Sequence, residues 1–130
     1  MTPVEFSALA TNGTIKTINE TINCADLAWN PHAAFEGVYL KHLVTGDKTD
    51  GQISCHIVRV DPGCTLETHV HENQWEMHEV IEGSGDATLS ESSTPYHPGK
   101  SAIIPKGEKH SVKAGDDGLI MLAKFFPALI

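Results

Sequence analysis

Residues 63–83 read GCTLETHVHENQWEMHEVIEG, and the rest of the chain is best understood outward from them. His69 and His71 stand two apart in a run of strand character, and on a strand both imidazoles project from one face. The polar Glu72-Asn73-Gln74 that follows has loop character and resets the alternation, so Glu76 is free to point back at the two histidines. Glu72 competes for the same carboxylate place, but it directly follows His71 and would have to fold back sharply. A second stretch, residues 99–110, reads GKSAIIPKGEKH and brings His110 to the start of another strand after a Pro105-Lys106-Gly107 turn. Three imidazoles and one carboxylate suit a divalent transition metal and leave a position open for water, oxygen or substrate. An isolated H-x-H pair occurs on many protein surfaces, so the case rests on the spacing around it.

Period-two runs extend on both sides of these stretches: Val38 to Val44, Gln52 to Val60, Glu76 to Ile81, Asp86 to Leu89, Ser101 to Ile104, His110 to Lys113 and Leu119 to Phe126. Gly83-Ser84-Gly85, His97-Pro98-Gly99 and Gly115-Asp116-Asp117-Gly118 separate some of them as turns, and Ser90 to Pro95 reads as a hairpin loop. Short strands at this spacing describe an all-β sandwich or barrel. Residues 1–34 read as an irregular arm packing on a barrel of residues 35–130, with a short helix over Cys24 to Ala28 as its one helical pattern.

The composition narrows the partners. With 17 acidic and nine basic residues the formal charge is −8, which repels a phosphate backbone and disfavours nucleic acid. No run approaches the roughly 20 apolar residues of a membrane-spanning helix, and the N-terminus has no signal-peptide pattern, so a cytoplasmic location is expected. Cys24, Cys55 and Cys64 form no C-x-x-C pair and read as reduced, packed thiols. The closing run Leu119 to Ile130 is more apolar than one barrel edge can hide, so a homodimer is expected.

The spacing Gly63-x5-His69-x-His71-x4-Glu76-x6-Gly83 resembles the first motif of the cupin superfamily, and Gly99-x5-Pro105-x-Gly107-x2-His110 resembles most of the second. That second motif usually closes with Asn where Ala114 stands here. The resemblance implies an antiparallel jelly-roll barrel, with His69, His71, Glu76 and His110 in the four metal-ligand places. It implies one divalent ion of iron, nickel, zinc or manganese, and a small-molecule ligand. The reaction is left open between a dioxygenase and an isomerase, lyase or decarboxylase working through an enolate-like intermediate. A non-catalytic binding or sensing module is the alternative. His78 lies two residues after Glu76 and so shares its face. In cupin lyases acting on dimethylsulfoniopropionate a Tyr at this place is thought to move protons, which makes His78 the candidate catalytic residue here, with a supporting or ligating role as the other readings. His56 is left open between the cavity and an outward position, Trp75 between the pocket mouth and the core. His32, His42 and His97 are expected at the surface or rim.

Overall fold

Strand-forming sequence dominates from Val38 onward, and the computed structural model, which describes all residues from Met1 to Ile130, is built mainly of antiparallel strands. In chain order these are β1 (Thr14–Lys16), β2 (Thr21–Asn23), β3 (Asn30–Pro31), β4 (Val38–Val44), β5 (Ser54–Val60), β6 (Thr65–His69), β7 (Trp75–Leu89), β8 (Ser92–Tyr96), β9 (Ser101–Ile104) and β10 (His110–Phe126). One helix, α1 (Pro3–Thr11), precedes them. The main sheet runs β3-β4-β5-β10-β7-β8, with β6 also paired to β10 and β9 to β7. This is the jelly-roll arrangement.

β7 and β10 close the barrel by pairing in two blocks, Trp75–Gly83 against Leu119–Phe126 and Gly85–Leu89 against His110–Ala114. Turn chemistry at Gly83-Ser84-Gly85 and Gly115 to Gly118 predicts each as two separate strands. Instead the glycines let two continuous strands bend together. A Cβ on Gly83 would collide with the Gly118 carbonyl, and one on Gly85 with the Lys113 carbonyl. The register slips between Ala114 and Leu119, and each strand thereby passes from one layer of the barrel to the other. β8 begins at Ser92, so only the start of the expected Ser90–Pro95 loop is a turn.

Alternation along the strands turns Val58, Val60, Val80, Val112, Leu119 and Met121 into one core. Each such side chain, fully buried, contributes about 1.5–3 kcal/mol. The opposite face of β4 and β5 is not left to water, because the N-terminal arm covers it. Cys24, Leu43 and Ile57 form a second, smaller cluster there. Lys41 is buried in the same place, its Nζ donating to the carbonyls of Thr11 (3.2 Å) and Cys24 (2.8 Å).

The arm is more regular than its turn residues predict. Thr2-Pro3-Val4-Glu5 is a capping box: the Thr2 hydroxyl accepts from the Glu5 N–H and the Glu5 carboxylate from the Thr2 N–H, each at 3.1 Å. Pro3 opens the helix, where its missing N–H costs nothing. Over Cys24–Asp26 there is one 3₁₀ turn, capped by the Asn23 side chain. β10 is a central strand between β5 and β7 rather than an edge, so Leu119 to Phe125 are largely covered within one chain, while Phe126 and Ile130 stay exposed. No helix is long and apolar enough to cross a membrane.

Candidate metal centre

β6 ends at His69 and β10 begins at His110, and the two are directly opposite in the ladder. Glu76 is the second residue of β7 and faces Phe125 of β10. His71 lies beyond the end of β6, in the connection to β7, rather than on the strand with His69. Its carbonyl accepts from the Gly107 N–H at 2.9 Å, which ties that connection to the turn before His110. Ladder pairing and this one tether bring one donor atom each from His69, His71, Glu76 and His110 within 4.8 Å of one another. Atoms bound to one first-row ion at about 2.0–2.2 Å stand roughly 3 to 4.4 Å apart, so the cluster needs little adjustment to share one.

Backbone carbonyls orient the rings. His69 Nδ1 donates to the Glu67 carbonyl at 2.7 Å and His110 Nδ1 to the Glu108 carbonyl at 3.0 Å. Both rings therefore present Nε2 to the centre, the arrangement that fixes a ligating histidine. Glu76 Oε2 accepts from His78 Nε2 at 2.9 Å. Its other oxygen, Oε1, lies 3.0 Å from His110 Nε2 and 3.7 Å from His71 Nε2. Neither Oε1 nor His110 Nε2 makes an aligned hydrogen bond, though both are buried. A buried unpartnered carboxylate oxygen costs several kcal/mol unless a cation satisfies it. The donor set and its orphaned atoms fit a divalent ion.

Electrostatics agree with that fit at His69, His71 and Glu76, while at His110 an ion would have to displace the proton that Glu76 favours. Burial lowers His69 to about 4 and lowers His71 too, so both are neutral, with lone pairs available, at neutral pH. For Glu76, burial pushes the carboxyl up, but the attraction of His78 and His110 outweighs it and holds the group well below the usual carboxylate range. His110 is the reverse: burial pulls it down, and the Glu76 carboxylate beside it more than compensates. Beside the donors lies a cavity of about 70 Å³ walled by apolar side chains that include Val38, Leu40, Leu66 and Phe125.

The cupin domain family matches residues 56–123, more than half of the chain and all four donors. The chain belongs to the cupin family. Among solved structures, this cupin is similar to KdgF from Halomonas sp., at 18% identity and a TM-score of 0.69 over 79% of this chain and 88% of that one. It is similar to a predicted oxalate decarboxylase from Thermotoga maritima, at 20% identity and a TM-score of 0.73 over 79% and 95%. It also resembles the oxalate decarboxylase of Bacillus subtilis, at 22% identity and a TM-score of 0.71, covering 82% of this chain but 29% of that longer one. That enzyme contains Mn(II) centres. No curated protein is matched by the sequence.

Other histidines of the cupin take places that alternation alone did not fix. His78 is fully buried behind Glu76, as its parity requires, and both ring nitrogens are engaged: Nε2 with Glu76 and Nδ1 with the Tyr96 hydroxyl at 2.8 Å. Burial, with the Glu76 charge, raises Tyr96, which keeps its proton for that bond. Tyr96 was not singled out from sequence, and its partner at a distance of 18 residues leaves no local signal. His56 is interior, packed edge-on against Phe125 with Nδ1 2.8 Å from His42 Nδ1 and Nε2 2.9 Å from Ser54 Oγ. His42 is thus turned inward instead of lying at the surface. His32 is partly exposed and lines the cavity with His69 and His71. Trp75 is 45% exposed and lies outside that wall.

Proposed function

We propose that this cupin binds one divalent transition-metal ion through His69, His71, Glu76 and His110, and acts as a metal-dependent enzyme on a small oxygen- or carboxylate-bearing molecule. The observation that carries the reading is the four-donor cluster itself, in which buried Glu76 Oε1 and His110 Nε2 lie 3.0 Å apart without an aligned hydrogen bond. When bound, such an ion supplies Lewis-acid charge to a substrate oxygen, with iron adding dioxygen chemistry. The reaction classes are therefore dioxygenation with iron, or isomerisation, elimination or decarboxylation with nickel, zinc or manganese.

The chain's own residues do the rest. Neutral His69 and His71 and the Glu76 carboxylate leave a net local charge of about +1 around a divalent ion, which favours an anionic or hydroxylic oxygen. The apolar wall excludes water from the other end of the molecule. His78 handles the proton shared with Glu76 Oε2 and acts through that carboxylate, since both its nitrogens are engaged away from the cavity. Residues 1–34 serve as an arm on the barrel of residues 35–130. The working form is a cytoplasmic homodimer, with Trp75, Ile103 and Phe126 exposed on the outside of the sheet as its apolar contact. Light scattering at micromolar concentration giving the mass of one chain overturns the dimer.

The test of the function is elemental analysis of protein purified without added metal, followed by oxygen-uptake and product assays across pH on small carboxylates and enols. One ion per chain with turnover supports the enzyme. One ion with no turnover on any substrate makes this a binding or sensing cupin, and no ion overturns the metal reading.

A further inference from the structure

Four polar side chains line the cavity, and three of them, His69, His71 and Glu76, belong to the donor cluster. The fourth is His32, from the arm that lies outside the matched cupin domain. Its place is fixed from three directions. Its backbone N–H donates to the Val38 carbonyl at 2.8 Å. Its Nδ1 accepts from the N–H groups of Ala34 (3.0 Å) and Phe35 (3.2 Å). Its ring stacks on Phe35 at 4.5 Å, and Phe35 in turn lies 6.0 Å from the His69 ring. Because two N–H groups point at Nδ1, the ring proton sits on Nε2, the one ring nitrogen left for a ligand.

We infer that His32 reads the substrate, donating a hydrogen bond from Nε2–H to an acceptor oxygen carried beyond the group that meets the metal. This rests on the metal-site reading above. The wall presents no Lys or Arg: Lys41 is spent on the carbonyls of Thr11 and Cys24, and Arg59 stacks between Trp29 and Tyr39. A second carboxylate would meet no cation there. The substrate class is therefore a small monoanion or neutral molecule with one oxygen for the ion, a short apolar body and one further acceptor oxygen. Such an acceptor is selected because a ligand filling the cavity takes the Nε2–H out of water, and a donor desolvated without a partner is costly.

Two variants separate the donor from the scaffold. In His32→Asn, Oδ1 stands where Nδ1 was and still accepts from Ala34 and Phe35, but no donor remains at the Nε2 position. In His32→Gln the side-chain amide restores an N–H close to that position. Wild type and both variants are loaded with Co(II), the metal is counted, and dissociation constants are read from the Co(II) absorption. The probes are two matched pairs, butyrate with methoxyacetate and pentanoate with 3-methoxypropionate, which differ by an ether oxygen in place of a CH₂. Chelation by the ether acts equally in all three proteins, so only the part that depends on residue 32 counts. In at least one pair the wild-type preference for the ether should exceed that of His32→Asn by about three- to tenfold, with His32→Gln recovering much of it. Equal preferences with one ion per chain in each protein overturn the role of His32 alone. A folded His32→Asn protein that loses its ion makes His32 a support of the site and overturns it as well. Absence of Co(II) from all three overturns the metal reading itself.

Discussion

Acidification tests the burial of His56. This imidazole has no exposed surface, sits against Phe125, and has His42 and Ser54 on its two nitrogens. Burial first, and then the neighbouring His42, push it down to about 4, while the Glu76 charge draws it partly back. In the unfolded chain it titrates near the ordinary value of about 6.5. Above that pH both states are neutral, and the group contributes no pH dependence. Below it the unfolded chain takes up a proton that the native protein refuses, so stability falls until the native state binds it too. The gap between the two values is worth roughly 3 kcal/mol in all, and about 2.5 kcal/mol of it is lost by pH 4.5. The assay is urea denaturation with a chelator present, at pH 7.5, 6 and 4.5, for wild type and His56→Gln. Histidines out of contact with His56 titrate alike in both proteins and cancel in the difference, while His42, in contact with it, makes the difference a property of the pair. The stability of wild type relative to the variant should fall by about 2.5 kcal/mol between pH 7.5 and 4.5. A difference constant to within about 0.5 kcal/mol would refute the reasoning, because His56 would then hold its proton in the native state.

Three further outcomes are expected. His71→Ala and Glu76→Gln should each weaken metal binding by at least about tenfold in a competition titration, whereas Glu79→Gln, which loses only its bond to Lys124 on the outer face, should not. His78→Phe removes the partner of Glu76 Oε2 and should weaken metal binding about 10- to 100-fold; an unchanged metal affinity would show that the carboxylate stands without it. Lys41→Met leaves the Thr11 and Cys24 carbonyls without their charged partner and should cost about 2–3 kcal/mol, with limited proteolysis cutting the arm before the barrel; an uncut arm would mean its apolar contacts suffice.

The donors were legible because their spacing is local to two short stretches, and the ladder then does what strand parity demands: His69 faces His110, and Glu76 and His78 share an interior face. The strand boundaries were less legible. Gly83 and Gly118 signal a turn by composition, yet what requires them is a close approach between two strands about 35 residues apart, which no local pattern encodes. Lys41 shows the same limit. Nothing near it in the sequence says that two carbonyls from the arm will satisfy its ammonium. His42 reads as a rim residue because its partner His56 lies on another strand, and the place of His32 beside the donors shows only once β4, β5 and β6 wall the cavity. The Thr2–Glu5 capping box, by contrast, was written in the sequence and passes unnoticed only because the helix behind it lacks a strong apolar stripe.

The position of His71 has a kinetic consequence. His69, Glu76 and His110 stand on strands whose ladders all run through β10, so freeing any one of them requires parting the barrel's central pairing. His71 alone hangs from a connecting segment, held to the next turn by a single backbone hydrogen bond from Gly107. An ion on these four donors would have a fixed side of three and a yielding side of one. Its residence time would follow how often the Gly107 bond breaks and the segment swings out, and not how often the barrel opens. Exchange of the ion and unfolding of the protein would then proceed on separate clocks, the first set by one loop and the second by the length of β10.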